Sequence, residues 1–193
     1  LAVAGGITII FLCFVAIFAD LLAPYPYAKA NFGKIYEFPS REFPLGTDQL
    51  GRDVLSRIIH GCRASLGVSL AAVAVALIAG GTLGLLAAYY RGWLERIVMR
   101  LMDVLLAFPA LLLAIGVVAV LGPRASSAAV AIAIVYTPIF ARLLHGPALV
   151  VCETDYVQGA RAIGASDARI IFLHILPNLM SVVLVQTSLL LSA

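Results

Sequence analysis

Five long stretches with few or no charged side chains determine what this chain can fold into. They cover Leu1–Ala19, Ala64–Tyr90, Val104–Pro123, Ala125–Ala141 with a weaker extension over Leu143–Val151, and Ile170–Ala193. A helix needs about 20 apolar residues to cross a hydrocarbon core of about 30 Å, and each stretch meets or approaches that length. The sequence lacks the alternating ten-residue segments of a membrane barrel. It therefore predicts an all-α, polytopic helical membrane protein.

The composition agrees with five membrane spans in one transmembrane domain over 1–193. Hydrophobic residues make up 63% of the 193 residues and charged residues 12%, against about 25% charged in soluble domains; the mean hydropathy is +1.07. The predicted spans are 1–19, 64–90, 104–123, 125–151 and 177–193. The first stretch would also suit a signal peptide, although it lacks basic flanking residues. Because the chain begins and stops within apolar stretches, we expect a fragment of a longer protein.

The basic residues predict the orientation of the spans. Arg91, Arg96 and Arg100 follow the second span, and loops rich in Lys and Arg remain in the cytoplasm. The loop 20–63 is then external, and the loop 152–176 is cytoplasmic.

An amphipathic helix is predicted at the end of the external loop, in the stretch TDQLGRDVLSRIIHG. Asp48 is its candidate N-cap, and Asp53 and Arg57 have the i,i+4 spacing of an ion pair. The apolar residues with helical spacing are Leu50, Val54, Leu55, Ile58 and Ile59.

Within the spans, glycine and proline mark positions of special geometry. Gly80 and Gly84 would let two helices approach closely, although small residues are also common in membrane helices generally. Pro109 and Pro138 would kink their helices and either shape a translocation pathway or serve only packing.

The sequence lacks residues for chemistry of its own. Among ionisable residues, only His145 is expected deep in an apolar stretch, and it lies near the end of its helix. Proton-coupled carriers need intramembrane acids or histidines. No phosphate-binding loop, catalytic triad or nucleic-acid patch is present. The cysteines and histidines are scattered, so we expect no metal site, no cofactor and no enzyme activity.

The polar stretch 156–178, YVQGARAIGASDARIIFLHILPN, stands between two apolar stretches. Asp155 and Gln158 have the spacing of a capping box, and Gly164 suits a left-handed turn. Ser166 is a second N-cap candidate, followed by Asp167 and, at the start of the last span, Pro177. Two short helical segments are thus predicted. They serve either as a contact for another protein or as a loop that packs on its own bundle.

This stretch resembles the EAA motif of ABC-importer permeases, which is Glu-Ala-Ala, three residues, Gly, nine residues, Ile, one residue, Leu-Pro. Gln158, Gly159, Ala160, Gly164 and the pair Leu176-Pro177 have that spacing. Gln158 stands in place of Glu, Gly159 in place of Ala, and His174 in place of Ile. The stretches FPLGTDQLGRDVLSRIIHGCRASL and AYYRGWLERIVMRLMDVLLAFPALLLAI resemble the dipeptide/oligopeptide/nickel branch of these permeases, in its second, C-type subunit.

The resemblance implies a six-span permease of the bacterial or archaeal cytoplasmic membrane, five spans of which are present here. The expected partners are a paralogous permease, two cytoplasmic ATPase subunits that hold ATP and Mg²⁺, and an extracytoplasmic binding protein for a peptide-like or other small solute. Residues 156–167 would be the helix that couples to an ATPase. The residues implied in coupling are Tyr156, Gln158, Gly159, Ala160, Gly164, Ala165, Asp167, Leu176 and Pro177. The alternatives are a stand-alone secondary carrier and a structural membrane protein.

Overall fold

The computed structural model describes residues 2–191, with side chains from residue 5 onward. Its helices are α1 Ala2–Ile17, α2 Ala19–Leu22, α3 Val54–Tyr90, α4 Gly92–Ala107, α5 Ala110–Leu121, α6 Ala125–Cys152, α7 Asp155–Ala162 and α8 Asp167–Arg169, the last continued by a π-helix at Ile170–Ile175 and by α9 Leu176–Leu191. Over these residues the β-type pairing is limited to one bridge between Thr47 and Asp53. The predicted all-α class is confirmed. The chain divides into two compact units, Leu1–Val68 and Ser69–Ala193.

Three helices of the described chain are long and apolar enough to cross a membrane: Val54–Tyr90, Ala125–Cys152 and Asp167–Leu191. A fourth candidate exists if α4 and α5 are counted together, although they meet at a bend of 93°. The polytopic helical architecture is confirmed. The count of five spans stays a prediction, as does the single domain.

The predicted span over 104–123 is broken at Pro109, where a kink was expected, and its place as one span stays a prediction. Phe108 has extended backbone angles, and Pro109 then starts α5. Proline disfavours a helical conformation of the residue before it and cannot donate a backbone hydrogen bond. These two effects separate α4 from α5.

The start of α3 also differs from the prediction. The helix begins at Val54 and continues without a break to Tyr90, so the amphipathic segment and the second span are one helix. Asp53, rather than Asp48, caps it, because its carboxylate accepts the backbone N–H of Ser56 at 2.8 Å. Leu50 lies before the helix and outside the predicted apolar face. Arg57 pairs with Asp48, so the predicted Asp53–Arg57 pair is wrong.

In the first unit, the loop 23–53 is ordered around Asp48. Its carboxylate accepts the backbone N–H groups of Leu50 and Arg52 at 2.8 and 3.0 Å, and it pairs with the guanidinium of Arg52. Burial tends to raise the pKa of Asp48, but these hydrogen bonds and the positive charge of Arg52 outweigh it and lower the pKa to about 2.

In the second unit, α3 and α6 touch at the two predicted glycines. A Cβ atom on Gly80 would lie 2.1 Å from the carbonyl oxygen of Thr137, and one on Gly84 would lie 2.2 Å from that of Ala141. No other residue fits against a backbone at these distances, so the close helix approach predicted from the glycines is confirmed.

The last long helix begins earlier than predicted. Residues 167–176 belong to the same continuous helix as α9. The connection after α6 is therefore 153–166, which is shorter than the predicted loop 152–176. The six residues before Leu176 form a π-helix. Pro177 lacks an N–H and would clash with the carbonyl four residues before it, and a wider turn at this point relieves that clash.

Candidate functional site

We call residues 153–167 the connecting segment: the connection after α6 together with Asp167, the first residue of the last long helix. The segment packs on the other helices of the second unit through one face of α7. Val157 is fully buried and Ala160 is 7% exposed. Both belong to a hydrophobic cluster that α3, α6 and the last long helix supply. Its larger members are Leu85, Tyr89, Leu144, Ile170, Ile171, Ile175 and Leu179. An eight-residue helix is unstable alone, so this contact holds α7 in place.

The rest of the α7 surface is exposed, although the Tyr156 ring lies 6.4 Å from that of His174. Tyr156 is 47% exposed and Ile163, directly after the helix, is 86% exposed. A Cβ atom built on Gly159 would meet nothing within 4 Å. The segment therefore packs on its own bundle and also presents a free surface with an apolar side chain at its end.

The start of α7 is not the predicted capping box. Thr154 occupies the N-cap position, and no side chain caps the helix there. Gln158 instead donates from Nε2 to the carbonyl oxygen of Cys152 at 3.0 Å, and the Thr154 hydroxyl donates to that of Val151 at 2.6 Å. Both side chains thus bond to carbonyl groups of the last turn of α6, of which that of Val151 also accepts the backbone N–H of Thr154.

Gly164 ends α7 in the predicted left-handed conformation, with φ of +79°. The N–H of Gly164 donates to the carbonyl of Arg161, and the N–H of Ala165 donates to that of Ala160, both at 3.0 Å. This pair of bonds is a Schellman motif. Ala165 is half-buried against the hydrophobic cluster.

Ser166 occupies the predicted N-cap position of the next helix, although its side chain makes no capping hydrogen bond. Asp167 lies in the first turn and has distant partners. Its Oδ1 accepts the hydroxyl of Tyr89 at 2.7 Å, and its Oδ2 accepts that of Tyr90 at 3.0 Å. No pattern in the sequence indicated these tyrosine contacts.

The remaining predicted residues lie elsewhere in the second unit. Leu176 packs against the hydrophobic cluster, and Pro177 is exposed on the following turn. Pro109 is exposed at the start of α5, and Pro138 is buried in the middle of α6. A role of either proline in a pathway stays a prediction.

Sequence reasoning missed a row of contacts between ionisable side chains along α4 and α6. His145 Nε2 lies 2.9 Å from Glu95, Arg142 pairs with Asp103, and Arg91 pairs with Glu153 just after α6. Arg142 lies ten residues before the end of α6, so His145 is not the only ionisable residue within that helix. The signal was the complementary order of charges along two antiparallel segments, which becomes visible only when 92–107 is recognised as a separate helix.

Metal-binding residues do not cluster in the part of the chain that the structure describes, where no group of three His, Cys, Asp or Glu side chains could hold an ion. Cys13, Cys62 and Cys152 are free thiols.

The long apolar helices of the described chain are those of a multi-pass membrane protein. The family "binding-protein-dependent transport system inner membrane component" matches residues 80–193, which is more than half of the chain. The chain belongs to this family. Residues 1–39 match the N-terminal transmembrane domain of oligopeptide transport permease C. The predicted resemblance to the peptide branch of ABC permeases and the predicted membrane location are thereby confirmed.

Curated relatives agree with this assignment. The chain is 46% identical over 189 residues to the dipeptide transport system permease protein DppC of Alkalihalophilus pseudofirmus, covering 98% of this chain and 62% of that protein. It is 45% identical to the glutathione transport system permease protein GsiD of Pectobacterium atrosepticum, and the match covers 95% of this chain and 62% of that protein. It is 41% identical to the di/tripeptide transport system permease protein DppC of Pseudomonas aeruginosa, and the match covers 97% of this chain and 64% of that protein. The chain thus spans somewhat less than two thirds of these relatives.

Proposed function

We propose that this chain is a permease subunit of an ATP-driven importer. It forms half of a pathway for a peptide-like or other small solute that an extracytoplasmic binding protein delivers. A paralogous permease forms the other half, and two ATPase subunits on the cytoplasmic side bind ATP and Mg²⁺. The chain has no catalytic role of its own. Family membership and the names of its relatives support this proposal.

The observation that carries the coupling part of the proposal is the division of α7 into two faces. Val157 and Ala160 fix one face to the bundle, while Gly159 leaves room on the other and Ile163 projects an apolar side chain from its end. An ATPase that binds the open face would move α7, and the buried face would pass that movement to α3, α6 and the last helix. ATP binding would thus switch access to the pathway, and hydrolysis would reset it.

The test compares two aspartate substitutions on equally exposed apolar residues. Ile163 and Phe38 are both 86% exposed, and Phe38 lies in the loop 23–53. The full-length permease is expressed with its partner permease and ATPases, and the ATPase that co-purifies at matched membrane insertion is quantified. We expect Ile163→Asp to lower retention at least about tenfold, since a buried contact would have to desolvate a carboxylate, and Phe38→Asp to leave it unchanged.

Equal retention of ATPase in both variants would contradict coupling through 156–167. No retention by the unsubstituted protein would contradict the importer function itself. A stand-alone carrier is the second candidate, because the Asp103–Arg142 and Glu95–His145 pairs supply ionisable groups alongside α6. Solute uptake by the permease in liposomes without ATPases, driven by a proton gradient, would favour it.

A further inference from the structure

Four side chains join the connecting segment to the end of α3. Asp167 accepts hydrogen bonds from the hydroxyls of Tyr89 and Tyr90 at 2.7 and 3.0 Å. The guanidinium carbon of Arg161 lies 4.7 Å from the ring centre of Tyr89, and the two tyrosine rings meet edge to face at 5.1 Å. We call these four residues the tyrosine–aspartate cluster.

The cluster holds both sides of the Gly164 turn. Arg161 belongs to α7 before the turn, and Asp167 begins the helix after it. Both side chains reach neighbouring residues of α3, although they are more than 70 positions away in the sequence. The two short helical parts of the segment are thereby attached to the same helical turn of α3.

The hydrophobic and polar contacts of α7 differ in what they can transmit. Burial of Val157 and Ala160 holds α7 against the bundle, but apolar contacts are not directional and allow sliding. A hydrogen bond to a carboxylate weakens steeply as its angle and length change. The two tyrosine hydroxyls therefore fix the position of the segment along and around α3.

We infer that Tyr89, Tyr90 and Asp167 are positioning residues that make α3 move together with α7 when a partner moves α7. This inference rests on the proposed function, since it specifies how the proposed ATPase contact reaches a membrane helix. Asp167 is exposed, so removal of the hydroxyls leaves a hydrated carboxylate and an intact fold.

The experiment measures the distance between α7 and α3 in the full-length transporter with its ATPases. Nitroxide labels are placed at Asp155→Cys and Leu86→Cys, with the three native cysteines replaced by alanine. Electron spin resonance distances are recorded without nucleotide and after trapping with ATP and vanadate. We expect the same distance in both states for the otherwise unsubstituted protein. In the Tyr89→Phe, Tyr90→Phe double variant, we expect the distance between the labels to change on trapping by more than about 1.5 Å, the rise of one residue in an α-helix.

Co-purified ATPase is measured in the same samples, and it stays at the unsubstituted level in the double variant because the open face of α7 is intact. The matched control is Tyr136→Phe, which removes a hydroxyl from α6 and should leave the distance constant. The inference is overturned if the double variant also keeps a constant distance, or if Tyr136→Phe shifts as much. Loss of ATPase from the unsubstituted protein would instead contradict the proposed function on which the inference rests.

Discussion

The loop 23–53 and the connecting segment 153–167 are both polar, yet they use their polarity differently. In the loop, Asp48 gathers N–H groups and guanidinium groups from residues within ten positions of itself. In the connecting segment, Gln158 and Asp167 bond to other helices, and one face of α7 stays open. The polar contacts of Asp48 thus hold the loop to itself and to the start of α3. Those of Gln158 and Asp167 hold the connecting segment to other helices.

The largest expected effect comes from adding one methyl group to a glycine in each region. Gly51 has φ of +68°, and a Cβ atom there would lie 1.8 Å from the carbonyl oxygen of Asn31. Because the backbone itself is in the way, Gly51→Ala should destabilise the loop by about 2–4 kcal/mol. Gly159 is helical with open space around it, so Gly159→Ala should stabilise α7 by up to about 1 kcal/mol. Limited proteolysis of each region in purified protein measures both effects, and similar cleavage rates for the two variants would contradict the comparison.

A smaller effect is expected from acid, and it should be seen in the loop rather than in the connecting segment. The pKa of Asp48 is about 2 in the folded chain, against an ordinary value of 3.8. Its stabilising contribution is therefore complete above about pH 4 and is lost as the pH falls towards 2. Proteolysis by pepsin within 23–53 should accelerate over this range.

The control for this acid effect is Asp48→Asn, which cannot ionise. It should cleave faster at pH 4 than the unsubstituted protein and change less between pH 4 and pH 2. If the cleavage rates of the unsubstituted protein and of Asp48→Asn changed equally between pH 4 and pH 2, a group other than Asp48 would cause the effect.

The smallest effect concerns the Gln158 side chain, which donates to the carbonyl of Cys152. Gln158→Ala should cost about 1 kcal/mol of local stability, the usual value of such a bond. Gln158→Glu restores the glutamate of the EAA motif but removes the donor, so it should be at least as destabilising. Amide hydrogen exchange over 153–162 measures both variants. If amide exchange in Gln158→Glu were slower than in the unsubstituted protein, the carboxylate would cap α7, as predicted from the sequence.

Local features of this site were predictable, because they depend on neighbours in the sequence. Gly164 was expected to be left-handed and is, and Ser166 occupies the N-cap position of the next helix. The capping box at Asp155 was not realised, since the end of α6 lies close enough to take the amide of Gln158. An exposed carbonyl group from another helix competes with a local cap, and sequence spacing does not reveal it.

By itself, the sequence determined the helical class, the approximate extent of α6 and the tight contact expected at Gly80 and Gly84. The length of an apolar stretch can be read directly from the sequence, and so can the absence of a side chain at a glycine. Neither depends on which helices become neighbours. Tertiary structure decided the ion pair between Arg142 and Asp103 and the tyrosine partners of Asp167. Each of these depends on which helices become neighbours, and that is set by packing over distances that no local pattern records.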